Sequence, residues 1–146
     1  MNLNIKKLRE GAIIPQYATV GSACFDLCAN IPDPIHIKVG WPKVIPTGLS
    51  FEIPDGMVML VFGRSGAAFK NDTRLANCVG VIDSDYRGEV MVKLARDMSS
   101  TNDLIIQPGD RIAQAMLVAT PRATLVEVTS LSETERGNGG FGSTGV

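Results

Sequence analysis

The stretch that decides the fold is GLSFEIPDGMVMLVF, residues 48–62. From Leu49 to Ile53 apolar and polar side chains alternate, which predicts a half-buried β-strand. IPDG, residues 53–56, predicts a turn, because proline fixes φ and glycine reaches positive φ. The run MVMLVF, residues 57–62, is apolar throughout and predicts a strand that is covered on both faces. Two strands separated by a turn are therefore the local unit.

The same pattern recurs on both sides of this stretch. IHIKV (35–39), EVMVKL (89–94) and TLVEV (124–128) alternate with period two, and IPDP (31–34) and QPGD (107–110) predict turns between strands. Many short strands at such spacing favour a β-sandwich or barrel. We therefore predict an all-β fold, a sandwich or barrel, with at most one short helix.

The one candidate helix is SGAAFKN, residues 65–71, with Ser65 predicted as its N-cap. Backbone N–H groups at a helix start favour anions, and Arg64 and Ser65 add a guanidinium and a hydroxyl. An ordinary capping serine beside a surface arginine is the alternative interpretation.

Length and charge limit the function classes. The chain has 146 residues, 14 Lys plus Arg and 15 Asp plus Glu, for a formal net charge of −1. This balance gives no electrostatic case for nucleic-acid binding. We expect no membrane span, because no apolar run approaches about 18 residues. The charged N-terminal sequence favours a cytoplasmic protein, in the host cytoplasm if the chain is viral.

The cysteines and the histidine are predicted to have structural roles and not catalytic or metal-binding ones. Cys24, Cys28 and Cys78 are odd in number, which argues against a disulfide framework, and with the single His36 they make a poor zinc set. We expect buried, reduced thiols. His36 alternates with Ile35 and Ile37 and is predicted to face solvent, away from any Ser-His-Asp triad.

Two acids stand beside apolar sequence. The segment 77–82 predicts a buried strand, and GVIDSDYRGE (80–89) places Asp83 directly after it. Asp83 begins a hairpin turn toward Val90 in one interpretation, and in the other it is a carboxylate held at a strand end for chemistry. Asp26, within GSACFDLCA (21–29), needs an arginine or a metal-bound water as a partner.

Two further stretches carry polar groups near the C-terminus. In PGDRIAQ (108–114) a regular strand would place Arg111 on the face opposite Ile112 and Gln114. From Ser130 the apolar pattern stops, and RGNGGFGSTG (136–145) follows. Such a segment is either a mobile tail or a phosphate- and base-binding arm with an embedded arginine and aromatic residue.

The polar segments suit one chemistry better than others. They supply Asp, Arg, Ser, Gln, Gly and Phe, and no Cys-His or Ser-His pair lies among them. Activation of water by a carboxylate and hydrolysis of a phosphate held by arginine, backbone and Mg²⁺ is the chemistry that they favour.

The five segments, in this order, resemble the five motifs of the homotrimeric dUTP diphosphatase (dUTPase) family. ACFDLCA, GRSGAA, GVIDSDYRGE, GDRIAQ and RGNGGFGSTG are similar to motifs one to five and span residues 21–145. Cys24 stands where the first motif usually has glycine. The resemblance implies a distorted jelly roll and a homotrimer with active sites at subunit interfaces. It also implies Mg²⁺-dependent cleavage of dUTP to dUMP and pyrophosphate, which keeps uracil out of DNA and supplies dUMP for dTMP synthesis.

The resemblance also implies roles for residues of this chain. Asp83 would be the general base, Tyr86 would exclude a 2′-hydroxyl, and Asp26 would bind metal indirectly through water. Residues 1–130 would form the β domain, and 131–146 a flexible arm that closes an active site. The substrate-binding residues would be Arg64, Ser65, Gly66, Asn77, Gly80, Val81, Ile82, Tyr86, Met91, Gln114, Arg136, Phe141, Gly142, Ser143 and Thr144.

Other functions are compatible with the same strands. A dCTP deaminase would need a catalytic glutamate near the pyrimidine, and Glu89 is the acid of that type in the third segment. A non-catalytic β-sandwich module would explain the strands but not the five polar segments. A dUTPase that also regulates a protein partner would have the same sequence features.

Overall fold

The computed structural model describes residues 1–100, 102–143 and 145. Within these residues there are eleven strands and one short helix, and the strand pairings are antiparallel. The predicted all-β fold with one short helix is confirmed. The elements are β1 (Asn4–Lys7), β2 (Phe25–Cys28), β3 (Ile35–Ile37), β4 (Lys43–Pro46), β5 (Leu49–Glu52), β6 (Met57–Phe62), α1 (Ser65–Asn71), β7 (Thr73–Leu75), β8 (Val79–Ile82), β9 (Met91–Arg96), β10 (Leu104–Ile106) and β11 (Arg111–Ala119).

The strands of the described chain form four small sheets around one core. The largest has the order β2-β11-β6-β8, the next is β4-β9-β7, and the pairs β1-β5 and β10-β3 complete the set. Phe25 and Phe51 stack in the core with ring centroids 6.4 Å apart, and fully buried Leu27 and Met59 lie in the same apolar cluster. No helix among the described residues has the length and apolar character needed to cross a membrane.

Two local predictions about elements are wrong. Helix α1 begins at Ser65 as predicted for the segment, but its N-cap is Arg64, which has extended backbone angles and makes no side-chain capping bond. The predicted strand 124–128 is absent, since these residues are exposed and make no strand. Leu125 and Val126 are 93% and 72% exposed, so their alternation lacks a partner strand within the described chain.

Within the segment 77–82, Val79–Ile82 form strand β8 and the two residues before them lie in a turn, and the strand is not buried. Val79 and Val81 are 38% and 62% exposed, because β8 is the edge strand of its sheet and its outer face is uncovered. The predicted hairpin to Val90 is also wrong. Strand β8 is hydrogen-bonded to β6, whereas β9 pairs with β4 and β7 in another sheet. The segment that contains Asp83 is therefore a connection between two sheets.

The cysteines are less buried than predicted. Cys24 and Cys28 are partly exposed, Cys78 is exposed, and all three are free thiols. Cys78 has a positive φ of 63°, in the turn that leads into β8. His36 is exposed, as predicted.

Candidate functional site

One cluster of charged side chains forms around Asp26 on β2. Arg64 Nε donates to Asp26 Oδ1 at 2.8 Å, and an Arg111 terminal nitrogen donates to Asp26 Oδ2 at 3.1 Å. Arg64 also donates to the Arg111 carbonyl oxygen at 3.3 Å. Because both carboxylate oxygens have an arginine partner, this strand acid is neutralised by cations.

A β-bulge places Arg111 in this cluster. Arg111 lies opposite Cys28 and Ala113 opposite Leu27, so Ile112 is an additional residue in β11. The prediction that Arg111 and Gln114 lie on opposite faces of the strand is therefore wrong. Both side chains lie on the face that carries Asp26. An extra residue reverses the alternation of all that follow it. Ile112 and Ala113 are consecutive and both buried.

Gln114 connects the cluster to the start of α1. It lies opposite Asp26 on one side and Phe62 on the other, and its side-chain nitrogen donates to the Gly63 carbonyl at 2.9 Å. The next residues, Arg64, Ser65 and Gly66, follow this anchored carbonyl. Ser65 and Gly66 are exposed.

An open cavity of about 450 Å³ adjoins this cluster. Arg64, Lys70 and Arg111 contribute cations to its lining, and Asp110 contributes one acid. Burial, and secondarily the Asp26 charge, raise the pKa of the neighbouring Cys28 thiol above its ordinary value. Cys28 is therefore a neutral thiol at neutral pH. Positive charge in an open groove is the arrangement that binds phosphate groups.

The second group of predicted residues lies in the connection after β8. Asp83 is exposed and directly follows the last strand residue, Ile82. Its carbonyl oxygen accepts from the Tyr86 N–H at 3.2 Å, which closes a turn. No side-chain hydrogen bond or ion pair of the described residues engages the Asp83 carboxylate. This carboxylate, unlike that of Asp26, has no side-chain partner among the described residues.

The connection is anchored along its length by polar contacts to β5 and to the two residues that precede β5. Ser50 Oγ donates to the Arg87 carbonyl at 2.7 Å, and Thr47 Oγ1 donates to the Val90 carbonyl at 2.6 Å. The Glu89 carboxylate accepts from the Gly48 N–H at 2.7 Å and forms an ion pair with Arg9. These contacts hold a segment without regular structure in one conformation.

The residues predicted to bind the uracil base lie in β8 or close to it in sequence. Exposed Asn77 donates from its side chain to the Val79 carbonyl at 3.1 Å. A Cβ at Gly80 would lie 3.0 Å from Val61 Cβ, so a larger residue would disturb the packing of β8 on β6. Val81 is exposed and Ile82 is partly buried. Met91, at the start of β9, is 54% exposed.

The two groups lie at opposite ends of β6. Ile82 lies opposite Met59 and Val79 opposite Phe62, so Asp83 extends toward the Met57 end, whereas Arg64 follows the Phe62 end. At a rise of roughly 3.4 Å per residue, the stretch of β6 from Val58 to Arg64 spans about 20 Å. The fold of one chain therefore separates the arginine cluster from Asp83.

The glycine-rich C-terminal segment forms local turns. Arg136 Nε donates to the Gly139 carbonyl at 2.9 Å, and the Ser143 N–H donates to the Gly140 carbonyl at 3.1 Å. Phe141 is fully exposed with a φ of 51°, and Gly142 has a φ of 92°. Thr144 lies outside the described residues. The hydrogen bonds of the described residues after 130 stay within this C-terminal segment.

Sequence comparison identifies the family. A family model described as dUTPase matches residues 10–145. A deoxyuridine 5′-triphosphate nucleotidohydrolase from Caulobacter vibrioides is 53% identical over 135 residues, which cover 91% of this chain and 86% of that protein. The chain belongs to the dUTPase family. A second such relative, from Nautilia profundicola, is 48% identical over 145 residues and 99% of each chain.

Solved dUTPase structures have the same fold. The Staphylococcus bacteriophage 80alpha dUTPase with dUPNHPP matches with a TM-score of 0.85 at 25% identity, over 99% of both chains. A mutant dUTPase from phage phi11 of S. aureus, whose structure concerns the coordination of a structural Mg(II) ion, has a TM-score of 0.81 at 21% identity and covers 91% of this chain and all of that chain. The predicted jelly-roll-like dUTPase fold is confirmed.

Two residues near the dUTPase motifs were not predicted as site residues. Arg111 lies in the arginine cluster. The β-bulge at Ile112 sets the face of the strand on which Arg111 lies, and the local sequence pattern does not predict that bulge. Glu89 anchors the connection through Gly48 and Arg9, which are distant in sequence. The sequence shows Glu89 as an acid within GVIDSDYRGE, but it does not show that Gly48 and Arg9 are its partners.

The part of the chain that the structure describes does not offer a metal site made of protein ligands alone. The described residues contain no group of three or more His, Cys, Asp and Glu side chains placed to hold a metal ion. Asp26 directs both oxygens to arginines. An ion such as Mg²⁺ retains waters and binds substrate phosphates, so it needs few protein ligands.

Proposed function

We propose that this protein hydrolyses dUTP to dUMP and pyrophosphate, with Asp83 as the general base. The observation that carries the proposal is the contrast between two acids: Asp26 is bound by two arginines, whereas the exposed Asp83 carboxylate is unengaged by the described side chains. A base must be able to accept a proton, and a carboxylate held at a strand end meets that need. The reaction would keep uracil out of DNA and supply dUMP for dTMP synthesis.

The chemical step forms one bond and breaks another. The oxygen of a water molecule attacks the α-phosphorus while its proton passes to Asp83, and the bond between the α-phosphorus and the bridging oxygen to the β-phosphate breaks. Pyrophosphate leaves with the electron pair. General-base help of this kind contributes about 10²- to 10⁴-fold in rate.

The phosphate chain would bind at the arginine cluster. Arg64, Ser65, Gly66 and Gln114 lie together there, beside the cavity with its cationic lining. Mg²⁺ bound to the triphosphate would neutralise charge on its oxygens. Asp26 would contact the metal through water and orient Arg64 at the same time.

The uracil and deoxyribose would bind beside β8. Asn77 and the backbone of Gly80, Val81 and Ile82 would pair with the uracil edge. A fixed hydrogen-bonding edge discriminates strongly, because a wrong base leaves buried polar groups unpaired. The contacts to the sugar and the rest of the base would come from Tyr86 and Met91.

We propose that three chains form a trimer with active sites between subunits. A phosphate site and a base about 20 Å apart along β6 cannot act on one phosphorus, given the strand rise of roughly 3.4 Å per residue. Apposition of Asp83 from one subunit with Arg64 from another removes this separation. Val79, Val81, Leu125 and Val128 expose apolar surface that a neighbouring subunit would cover.

The C-terminal arm, 131–146, would complete the site from a neighbouring subunit. Arg136, Gly142, Ser143 and Thr144 would bind phosphates, and Phe141 would stack on uracil. The full exposure of the Phe141 ring in the single chain supports an intermolecular role. A flexible arm that orders over bound nucleotide excludes water and retains the substrate.

The contacts of Glu89 speak against the related deaminase reaction. A deaminating glutamate must be available to the base, whereas the Glu89 carboxylate binds the Gly48 N–H and Arg9. Nothing in the site favours attack on the pyrimidine ring over attack on the phosphate.

The decisive experiment measures pyrophosphate and ammonia release from dUTP, dCTP, dTTP and UTP side by side with Mg²⁺. We expect rapid pyrophosphate release from dUTP and little from the other three. Ammonia from dCTP would replace the proposal with the deaminase, and no turnover of any nucleotide would favour a non-catalytic module.

A further inference from the structure

Gly88 lies against the hydroxyl end of the Tyr86 side chain. A Cβ built on Gly88 would lie 2.6 Å from Tyr86 Cζ and 3.0 Å from Cε2, and it would also overlap the Tyr86 hydroxyl oxygen. Carbon atoms in optimal non-bonded contact are about 3.5–4.0 Å apart. No residue other than glycine therefore fits position 88 while the ring keeps this position.

The phenol is held at its far end as well. The Tyr86 hydroxyl donates to the Glu89 carbonyl oxygen at 3.0 Å. Glu89 is itself fixed through its carboxylate, which accepts from the Gly48 N–H and pairs with Arg9. The ring is thus folded onto the backbone of 88–89, and that backbone is tied to the body of the domain.

Part of Tyr86 remains exposed. The residue is 43% exposed, so some of its surface is available to a ligand. Because the backbone at Gly88 and Glu89 contacts the Tyr86 ring, the ring has little room to move away from a ligand atom that approaches its exposed surface. The rigidity comes from the absence of a side chain at position 88.

We infer that Gly88 is a specificity-determining position, which sets discrimination against ribonucleotides by seating Tyr86. This inference rests on the proposed function of Tyr86 as the residue under the deoxyribose. A side chain at position 88 displaces the ring from Glu89 and turns it toward solvent. The space that a 2′-hydroxyl needs then opens, and contact with the deoxyribose weakens.

The test compares kcat/KM for dUTP and for UTP in wild type and in Gly88→Ala. We expect the dUTP preference to fall at least about tenfold, the scale that one misplaced methyl-sized group produces in a binding pocket. An unchanged preference in folded Gly88→Ala, or an equal loss with both nucleotides, overturns the inference.

Gly21→Ala is the matched control. Gly21 has no positive φ, and a Cβ there meets no atom within 4 Å, so this variant tests glycine loss without a clash. We expect its dUTP preference to equal that of wild type. A fall as large as that of Gly88→Ala would overturn the inference.

A double-mutant cycle separates seating of Tyr86 from general damage to the loop. In a Tyr86→Ala background the ring is absent, so Gly88→Ala should change the dUTP preference less than twofold further. A further loss of the same size as in wild type overturns the inference.

Tyr86→Phe serves if Gly88→Ala does not fold. It removes the hydroxyl donor to Glu89 and keeps Gly88, and we expect a smaller fall in preference of about two- to fivefold, since a net hydrogen bond contributes modestly. An unchanged preference in Tyr86→Phe overturns the inference. The proposed function fails separately, if the wild type itself does not prefer dUTP.

Discussion

At the scale of residues, the two central acids differ in what surrounds them. Asp26 lies within a strand and holds two guanidinium groups, whereas Asp83 lies just beyond a strand and is exposed. An acid in an apolar strand is stable only with a partner, and that partnership prevents it from acting as a base. The same residue type thus suits a positioning role in one place and a catalytic role in the other.

Asp83→Asn tests the catalytic role. The amide has the shape of the carboxylate but accepts no proton at neutral pH, so we expect kcat for dUTP to fall at least about 100-fold. Nucleotide binding, measured by calorimetry with a non-cleavable dUTP analogue, should remain close to wild type. Near-normal turnover would contradict the role of Asp83 as base.

Arg111→Met tests the arginine cluster. Loss of this guanidinium leaves Asp26 with one partner, and we expect KM for dUTP to rise several-fold, on the scale of about 1 kcal/mol for a charge-assisted contact that is partly exposed to solvent. Steady-state kinetics measures the effect, and Arg111→Lys should restore part of it.

Arg74→Met is the control for that substitution. Arg74 forms an ion pair with Asp97 at 2.9 Å, with side chains 53% and 48% exposed, outside the cluster. Its KM should match that of wild type. Equal effects of Arg74→Met and Arg111→Met would show that the change in KM reflects lost surface charge in general.

At the scale of elements, the informative parts are the segments that lack regular structure. The connection from Asp83 to Val90 is fixed by Ser50, Thr47 and Glu89, so its conformation depends on distant partners. Residues 131–143 make local turns and expose Phe141. The first segment is held by contacts within the chain, and the second is proposed to gain contacts from another subunit or a ligand.

Truncation after Glu135 tests the role of the C-terminal arm. The described residues that the truncation removes contribute nothing to the buried core, so the thermal unfolding midpoint should stay close to that of the full chain. We expect kcat/KM for dUTP to fall at least about tenfold, because the proposed closure of the arm over bound nucleotide would be lost. Full activity in the truncated protein would contradict the clamp.

At the scale of the whole molecule, the proposed site residues lie in two groups that one chain keeps apart. Strand β6 separates Arg64 from Asp83 by about 20 Å at roughly 3.4 Å per residue. The exposed apolar residues on β8 and after β11 are consistent with the proposed cover by a neighbouring subunit. In the proposed trimer, symmetry would bring the two ends of β6 from different subunits together and repeat the arrangement at each interface.

Mixed oligomers test this arrangement. We expect Arg64→Ala chains and Asp83→Asn chains each to be nearly inactive when refolded alone. Co-refolding at equal amounts should restore about a quarter of wild-type activity. In a symmetric oligomer each proposed site draws Arg64 from one chain and Asp83 from another, so about a quarter of the sites receive both intact residues. Activity after mixing, against each variant refolded alone, is the measurement. No recovery in mixed oligomers would place both residues in one chain's site.

The sequence by itself determined the strands and the polar segments. Alternation from Leu49 to Glu52 and the apolar run from Met57 to Phe62 are local properties, and strands form at both places. The order of the five segments was also enough to indicate the family. Period two needs no knowledge of the partner strand, which explains why strand existence was predictable here.

Only the tertiary structure decided which residues meet. The bulge at Ile112 turns Arg111 toward Asp26, β8 pairs with β6 and not with β9, and residues 124–128 find no partner strand in the described chain. Each outcome depends on contacts between residues far apart in sequence, which a local pattern does not encode. A strand's register, its exposed face and its partner follow from how all strands share one core.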